Sequence, residues 1–368
     1  MKVKFNRAAL AESLSLVTTV IPSRSAKPIL KCLKLQALEE GVFICATDFE
    51  TGITCSVSQA QIEEPGDVVL PADKVAAIIR ESIDEVISLE TDDSACVIKG
   101  GDSNFTIYGH DPAQYPEVPG FGGQSQFEAD LVTLQEAVEH TLFATAKENT
   151  RYALSGILWE PAGKKLTMVG TDGRRLAKIK LPLNCEAEAN LASQKIIVPA
   201  KAMALLDRVA AAPGDTAAVR LENNKIIMVC GAVVISSNLV EGNFPKYEDI
   251  IPTGYKNKLQ LNTAATQSAV RRAALLTNED SKGIKLSISA DSLVFSSRAP
   301  EMGDAEIAMT VDYNGEPVEI GFNPQFLVDV LRVIKEEEFE LQLGQSDRPG
   351  LIKSGQNFIY IVMPVSLS

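Results

Sequence analysis

One phrase occurs three times in this chain: a strand-forming run, a proline, then a short amphipathic helix. Its middle copy is Ile197-Val-Pro-Ala-Lys-Ala-Met-Ala-Leu-Leu-Asp-Arg-Val209. Ala202, Leu205, Leu206 and Val209 fall at i, i+3, i+4 and i+7, one face of a helix. Proline suits a first helical turn because its missing N–H would be unsatisfied there anyway. The earlier copy is Leu70-Pro-Ala-Asp-Lys-Val-Ala-Ala-Ile-Ile-Arg80; the later one is Phe322-Asn-Pro-Gln-Phe-Leu-Val-Asp-Val-Leu-Arg332. Pro71 and Pro199 are 128 residues apart, Pro199 and Pro324 are 125 apart. A period that long means a domain repeated three times, since solenoid units are far shorter. A chain of 368 residues accommodates three such domains.

Each unit reads as two similar halves. The first half opens with a strand and an amphipathic helix: Arg7 to Val20 with Leu10, Leu14 and Val17 on one face, Asp130 to Lys147 with Leu131, Leu134, Val138 and Leu142, and Thr263 to Asn278 with Ala269, Val270, Ala273 and Leu276. The Pro-led helix opens the second half. Alternating strands follow both helices, among them Ile29–Leu38, Val42–Val57, Asn104–Tyr108, Ile284–Ser289 and Phe358–Val362. Each half is thus predicted to be β-α-β-β-β, and each unit is α+β. Turn-rich stretches at Pro119 to Gln126 and Pro252 to Asn257 divide the chain into 1–121, 127–252 and 257–368.

Composition excludes several classes. There is no apolar run of 18 residues and no signal-peptide core, so a soluble, cytoplasmic protein is expected, with no membrane partner. The six cysteines form no C-x-x-C pair, and Cys32, Cys45, Cys55, Cys96 and Cys230 sit in strand-like runs; Cys185 completes the set. Buried free thiols are expected. Two histidines, His110 and His140, leave little for zinc or triad chemistry, and no metal or cofactor is expected. No Walker, Rossmann, G-x-S-x-G or H-E-x-x-H pattern occurs. The acidic pairs Asp92-Asp93 and Glu63-Glu64 read as polar turns, and Glu336-Glu-Glu338 as a helix end that opposes the macrodipole. No catalytic constellation emerges.

Net charge is −13, which taken alone argues against nucleic acid. Placement matters more than the total. Ile21 to Leu38 carries Arg24, Lys27, Lys31 and Lys34 without an acid, and Gly173 to Lys180 carries Arg174, Arg175, Lys178 and Lys180 without one. Such stretches fit either lysine-protected edge strands or phosphate-facing patches.

The threefold, internally doubled α+β pattern carries four further motifs in order: Ala46-Thr-Asp-Phe-Glu50, Gly170-Thr-Asp-Gly-Arg-Arg-Leu176, Gly242-Asn-Phe-Pro-Lys-Tyr247 and Tyr360-Ile-Val-Met-Pro-Val365. With these the whole chain resembles the bacterial DNA polymerase III β subunit family, the replicative sliding clamps. The resemblance implies three domains of the DNA clamp (processivity) fold and a head-to-tail homodimer ring around duplex DNA, without catalysis. It also implies as partners the polymerase III catalytic subunit, a clamp loader complex, and other polymerases and repair proteins carrying a clamp-binding peptide.

The resemblance further implies three groups of site residues. Sequence-independent DNA contacts would come from Arg24, Arg151 and Tyr152, with Lys74, Lys147, Lys201, Arg271 and Arg272 added from their helix positions. A peptide cleft between the second and third domains would use Leu154, Thr171, Gly173, Arg174, Arg175, Leu176, Pro245, Ile361, Val362, Met363, Pro364 and Val365. Its apolar members suit leucine or phenylalanine anchors, methionine adapts to varied ligands, and Arg175 would hold polar peptide atoms. Pro364 argues for an exposed edge strand there. The dimer contact would set Phe105 and Ile107 against Leu275 and Leu276, with Lys74 pairing Glu301, Asp304 or Glu306. The chain departs from the family pattern at Asp73, Ala153, Asp249 and Ser366. The competing reading is a non-catalytic peptide-binding scaffold of the same build that never encloses DNA.

Overall fold

The computed structural model describes residues 1–92, 95–147, 152–184, 195–277, 283–300 and 302–366. The first repeat runs β1 (Lys2–Asn6), α1 (Arg7–Val17), β2 (Cys32–Leu38), β3 (Gly41–Thr47), β4 (Thr51–Val57), β5 (Ala60–Glu64), β6 (Gly66–Pro71), α2 (Ala72–Glu81), β7 (Val86–Asp92), β8 (Ala95–Lys99) and β9 (Asn104–Tyr108). The second runs β10 (Phe127–Asp130), α3 (Leu131–Leu142), β11 (Gly156–Ala162), β12 (Lys165–Thr171), β13 (Arg175–Pro182), β14 (Ile196–Pro199), α4 (Ala200–Leu206), β15 (Thr216–Glu222), β16 (Lys225–Cys230) and β17 (Val233–Asn238). The third runs β18 (Asn257–Asn262), α5 (Thr263–Ala273), β19 (Ile284–Ser289), β20 (Ser292–Ala299), β21 (Gly303–Thr310), β22 (Val318–Phe322), α6 (Pro324–Val333), β23 (Glu338–Leu343), β24 (Gly350–Ser354) and β25 (Phe358–Val362).

Pairing explains why the halves come in twos. The opening strand of a half does not join its own three-strand meander. It joins the meander of the other half: β1 with β7 and β6 with β2, β10 with β15 and β14 with β11, β18 with β23 and β22 with β19. Neither half completes a sheet alone. A second pairing runs between repeats, antiparallel in both cases: β4 with β17, and β13 with β25. The outcome is two eight-stranded sheets, β10-β15-β16-β17-β4-β3-β2-β6 and β14-β11-β12-β13-β25-β24-β23-β18. A five-stranded sheet, β5-β1-β7-β8-β9, and a four-stranded one, β21-β20-β19-β22, complete the set among the described residues. Contacts accordingly gather the chain into two compact units, chiefly Met1–Gln135 with Lys201–Leu239, and Glu136–Pro182 with Val240–Ser368.

The helices bury the faces that their spacing predicts: Leu10, Leu14 and Val17 of α1, Val75 and Ile79 of α2, Ala269, Val270 and Ala273 of α5. Each large apolar side chain so buried contributes roughly 1.5–3 kcal/mol. α1 packs on α2, β3 and β4, and α5 packs on α6, β20 and β21. An Asx cap starts each first-half helix: Asn6 accepts from the Ala9 amide, Asp130 from Thr133, and Asn262 from Ala265. The Thr133 hydroxyl and amide hold the Asp130 carboxyl below its ordinary range.

These first helices end earlier than the periodicity suggests, at Val17, Leu142 and Ala273. Threonines account for it. The hydroxyls of Thr19, Thr145 and Thr277 bond back to the carbonyls of Leu16, Leu142 and Ala274, and the backbone tightens into i→i−3 bonds. Pro71 and Pro199 also differ from expectation: each closes a strand, and the helix begins one residue later. Both strands lie at sheet edges, where a missing N–H costs nothing. Only Pro324 sits inside a first turn, capped by Asn323. Glu63 and Glu64 belong to strand β5 rather than a turn, with Glu63 paired to Lys2 and Lys4. Glu336 lies beyond α6, not at its last turn, and Glu338 opens β23.

Strand β12 passes so close to the end of α3 that a Cβ on Gly170 would lie 2.2 Å from the Thr141 carbonyl oxygen. Backbone on both sides cannot yield. Gly170→Ala is therefore expected to destabilise this unit by about 1–3 kcal/mol, read as an earlier midpoint in denaturant unfolding with unchanged slope.

Candidate functional site

Two tight turns of the same build stand at the two inter-repeat junctions. In the first, the Thr47 hydroxyl donates to Thr51 O and accepts from the Phe49 amide, while Asp48 Oδ1 accepts from the Glu50 and Thr51 amides. In the second, the Thr171 hydroxyl donates to Arg175 O and accepts from the Gly173 amide, while Asp172 Oδ1 accepts from Arg174 and Arg175. Position three has positive φ in both, +77° at Phe49 and +88° at Gly173. Glycine adopts that conformation freely, and open space surrounds the point where its Cβ would stand.

From the second turn, β13 runs antiparallel to β25 with Arg175 opposite Val362 and Leu176 opposite Ile361. Alternation along a strand sends neighbours to opposite faces. Leu176 and Ile361 share one face and cluster with Leu158, Val169, Ile197 and Tyr247. Phe244, Val240 and Ile251 pack half-buried against this cluster. Leu154 and Thr171 are buried, Met363 and Pro245 are exposed, and Pro364 and Val365 are half-buried. The segment after β25 is held out along the surface by bonds from the Met363 amide to Arg174 O and from the Val365 amide to Gly321 O.

Arg175 and Val362 take the other face, and here the structure corrects the sequence reading. Val362 lies in the internal core with Ala177, Phe358 and Tyr360. The Arg175 side chain is 6% exposed. Its guanidinium donates to Asp172 at 3.0 Å, to Asp329 at 2.6 Å and to the Phe143 carbonyl at 2.7 Å. It also stacks over Phe326, 4.5 Å from the ring centroid. Burial opposes its charge, but the bond to Asp329 and the nearby acidic groups outweigh that and raise its pKa. With three of its five donors so engaged, Arg175 fastens the end of α3, β13 and α6 together. Nor is β25 an edge strand: it lies between β13 and β24, and only 363–366 run free of the ladder. Phe244 and Tyr247 join the cluster of Leu176 and Ile361 although the sequence reading does not name them for the cleft. For Phe244 and Tyr247 the signal is the apolar spacing within the Gly242–Tyr247 motif.

The other expected residues scatter more widely. Arg24, Lys147, Arg271 and Arg272 are exposed, the last two in the final turn of α5, where cations complement the helix dipole. Lys74 is exposed and 3.5 Å from its neighbour Asp73. Lys201 is committed elsewhere: its ammonium bonds Val20 O at 2.9 Å and the Asp48 carboxylate. Arg151, Glu301 and the side chain of Tyr152 lie outside the described residues. On edge strand β9, Phe105 and Tyr108 are exposed whereas Ile107 turns inward. Leu275 is exposed at 77%, Leu276 is half-buried, and Asp304 and Glu306 are exposed on edge strand β21.

Among the described residues no three His, Cys, Asp or Glu side chains are grouped to hold a metal. Cys32, Cys45, Cys55, Cys96 and Cys230 are free and buried. Burial pushes the Cys45 thiol up to about 11 and those of Cys55 and Cys230 to about 12, far from thiolate chemistry. Among the described residues no helix is long and apolar enough to cross a membrane.

Doubled α+β halves, three times over, joined through their last strands and carrying an apolar cluster beside the second junction, define the sliding-clamp class. The descriptions that match are DNA polymerase III beta subunit N-terminal domain over residues 1–119, central domain over 129–246 and C-terminal domain over 248–366. The chain belongs to the DNA polymerase III beta subunit family. It is 32% identical over 370 residues to the beta sliding clamp of Pseudomonas putida, covering all of both chains. It is 31% identical over 372 residues to that of Escherichia coli, again over all of both. Among solved structures, the sliding clamp of Bacillus subtilis superposes with a TM-score of 0.93 at 26% identity. That of Bartonella birtlesii bound to griselimycin gives 0.92 at 31%; each comparison covers the whole of both chains.

The two neighbouring arginines separate cleft from core. Arg175→Gln leaves the largely buried Asp329 without its ion-pair partner, with Gln325 Nε2 still donating to it, and is expected to cost about 3 kcal/mol of stability. Arg174→Gln, at an exposed position, is expected to stay within about 0.5 kcal/mol of the parent. Chemical denaturation of both variants checks the contrast.

Proposed function

We propose that this chain is a non-catalytic processivity factor that closes with a second copy into a ring around duplex DNA and tethers a polymerase through its peptide cleft. The observation that carries the proposal is the junction rule. The last strand of a first half pairs with the last strand of the following repeat's second half: β4 with β17, then β13 with β25. Two last strands remain without such a partner, β9 of the first repeat and β21 of the third. Continuing the rule pairs β9 of one chain with β21 of another, head to tail. Two such heterologous contacts close a cyclic dimer. Phe105 and Tyr108 on one side, and Leu275 with Asp304 and Glu306 on the other, supply apolar and charged groups at those edges. Leu276, Lys74 and Glu301 are assigned to the same contact from sequence.

A closed pair would contribute twelve helices, α1 to α6 from each chain. Retention on DNA is then topological, so contacts need only be loose and directed at phosphate, which carries no sequence information. Arg24, Lys147, Arg271 and Arg272 are exposed for that task, with Arg151 assigned from sequence. The remaining acidic surface would keep DNA off the outside. A partner docked in the cleft stays at high effective concentration near the primer end. The polymerase III catalytic subunit, the clamp loader, and polymerases and repair proteins with a docking peptide are its proposed partners. Names of the relatives in four bacterial species, all sliding clamps, support this reading.

Loaded by a clamp loader, the protein is expected to remain on nicked circular DNA and to leave within the same interval once the circle is cut. Equal retention on both forms would favour the scaffold that never encloses DNA. Phe105→Asp is expected to convert the dimer to monomer in light scattering after size exclusion. A variant as dimeric as its parent would exclude the β9–β21 contact.

A further inference from the structure

The cleft has a charged end that its apolar floor does not require. Leu176 is followed on the same face of β13 by Lys178 and Lys180, since alternate residues of a strand share a face. Lys178 stands opposite Ile359 of β25, one step along from the Leu176–Ile361 pair. Its ammonium lies 4.9 Å above the ring of Tyr247, itself a member of the floor cluster. The side chain is half-buried and Lys180 is exposed.

The nearby acids are already engaged. Glu160 accepts from the Tyr247 hydroxyl and pairs with Lys195, and Lys195 also lies 3.6 Å from Glu248. Asp172 is held by Arg175. Among the described residues neither Lys178 nor Lys180 has a carboxylate within 4.0 Å. Burial first, and the neighbouring Lys180 second, hold the Lys178 ammonium below its ordinary pKa, against a smaller opposing pull from Glu160 and Glu248.

We infer that Lys178, with Lys180 beyond it, is a subsite for an aspartate or glutamate side chain of the docking peptide. The inference rests on the peptide-cleft reading above. It adds a spacing: two residues of extended chain advance about 7 Å, so the acid lies two to four residues from the anchor seated on Leu176. A carboxylate there would answer both the burial and the repulsion at Lys178. The aromatic face of Tyr247 already orients the ammonium toward the cleft floor. Charge-assisted hydrogen bonds of this kind are short and geometrically specific.

The test uses the full chain and two synthetic peptides with the same leucine and phenylalanine anchors. One carries glutamate two residues from the anchor, the other glutamine. Fluorescence anisotropy at low salt is expected to show the glutamate peptide binding about five- to tenfold tighter. That preference should shrink at high salt. Lys178→Gln should erase the preference and Lys178→Arg should keep it, which separates a charge effect from misfolding. Equal binding of the two peptides to the parent protein overturns the subsite and leaves the cleft standing. Binding of neither peptide overturns both. Lys178→Gln that weakens a short DNA duplex, while sparing the glutamate preference, would reassign this end of the cleft to nucleic acid.

Discussion

Everything in this fold depends on strands finding partners outside their own segment. An opening strand that paired with its own meander would leave each half a free-standing four-stranded sheet. Instead β1 joins β7 and β6 joins β2, and the same exchange recurs in the second and third repeats. Unpaired edges invite association with other chains. Here β4 and β17, and β13 and β25, cover each other's edges across two repeats, while β9 and β21 stay at the edges of their sheets. A point defect at a junction therefore acts on two repeats together. The Arg175 guanidinium reinforces the second junction by tying the turn, the α3 carbonyl end and α6 to one planar group.

The two junctions share a backbone plan but differ in what they offer. At the second, Leu176 faces Ile361 and the surface is apolar. At the first, the corresponding pair is Gly52 and Ser236. Val118 fills the space over Gly52, with its Cγ1 2.8 Å from where a Cβ would stand. What is left is a cavity of about 140 Å³ lined by Thr47, Glu117, Ser236 and Ser237. An apolar anchor would desolvate such polar groups without returning a hydrogen bond, which costs free energy. The second junction thus carries an apolar pair where the first carries Gly52 and Ser236.

Much of this was legible in the residues. The repeat period, the doubled halves and the apolar faces of α1, α5 and α6 follow from spacing alone, because a buried face needs a 3.6-residue rhythm. The helix ends did not, because threonine hydroxyls that bond back to carbonyls compete locally with an apolar pattern that continues past them. The cleft was legible as a set of segments but not as a set of side chains. Alternation assigns Leu176 and Ile361 to one face and Arg175 and Val362 to the other, and the register that decides which face is which comes only from long-range pairing. Lys201 shows the same limit from the electrostatic side: a helix lysine reads as free until Asp48, far away in sequence, is found beside it.

The floor of the cleft is also part of the seam between two repeats. Leu176 and Ile361 are buried and stand opposite each other across the β13–β25 ladder. Their shape cannot be altered without loosening the joint they help to form. An inhibitor seated on that floor would press on residues with little freedom to change. Escape from it would have to come from positions beside it such as Arg174, Pro245 or Met363, where side chains reach solvent.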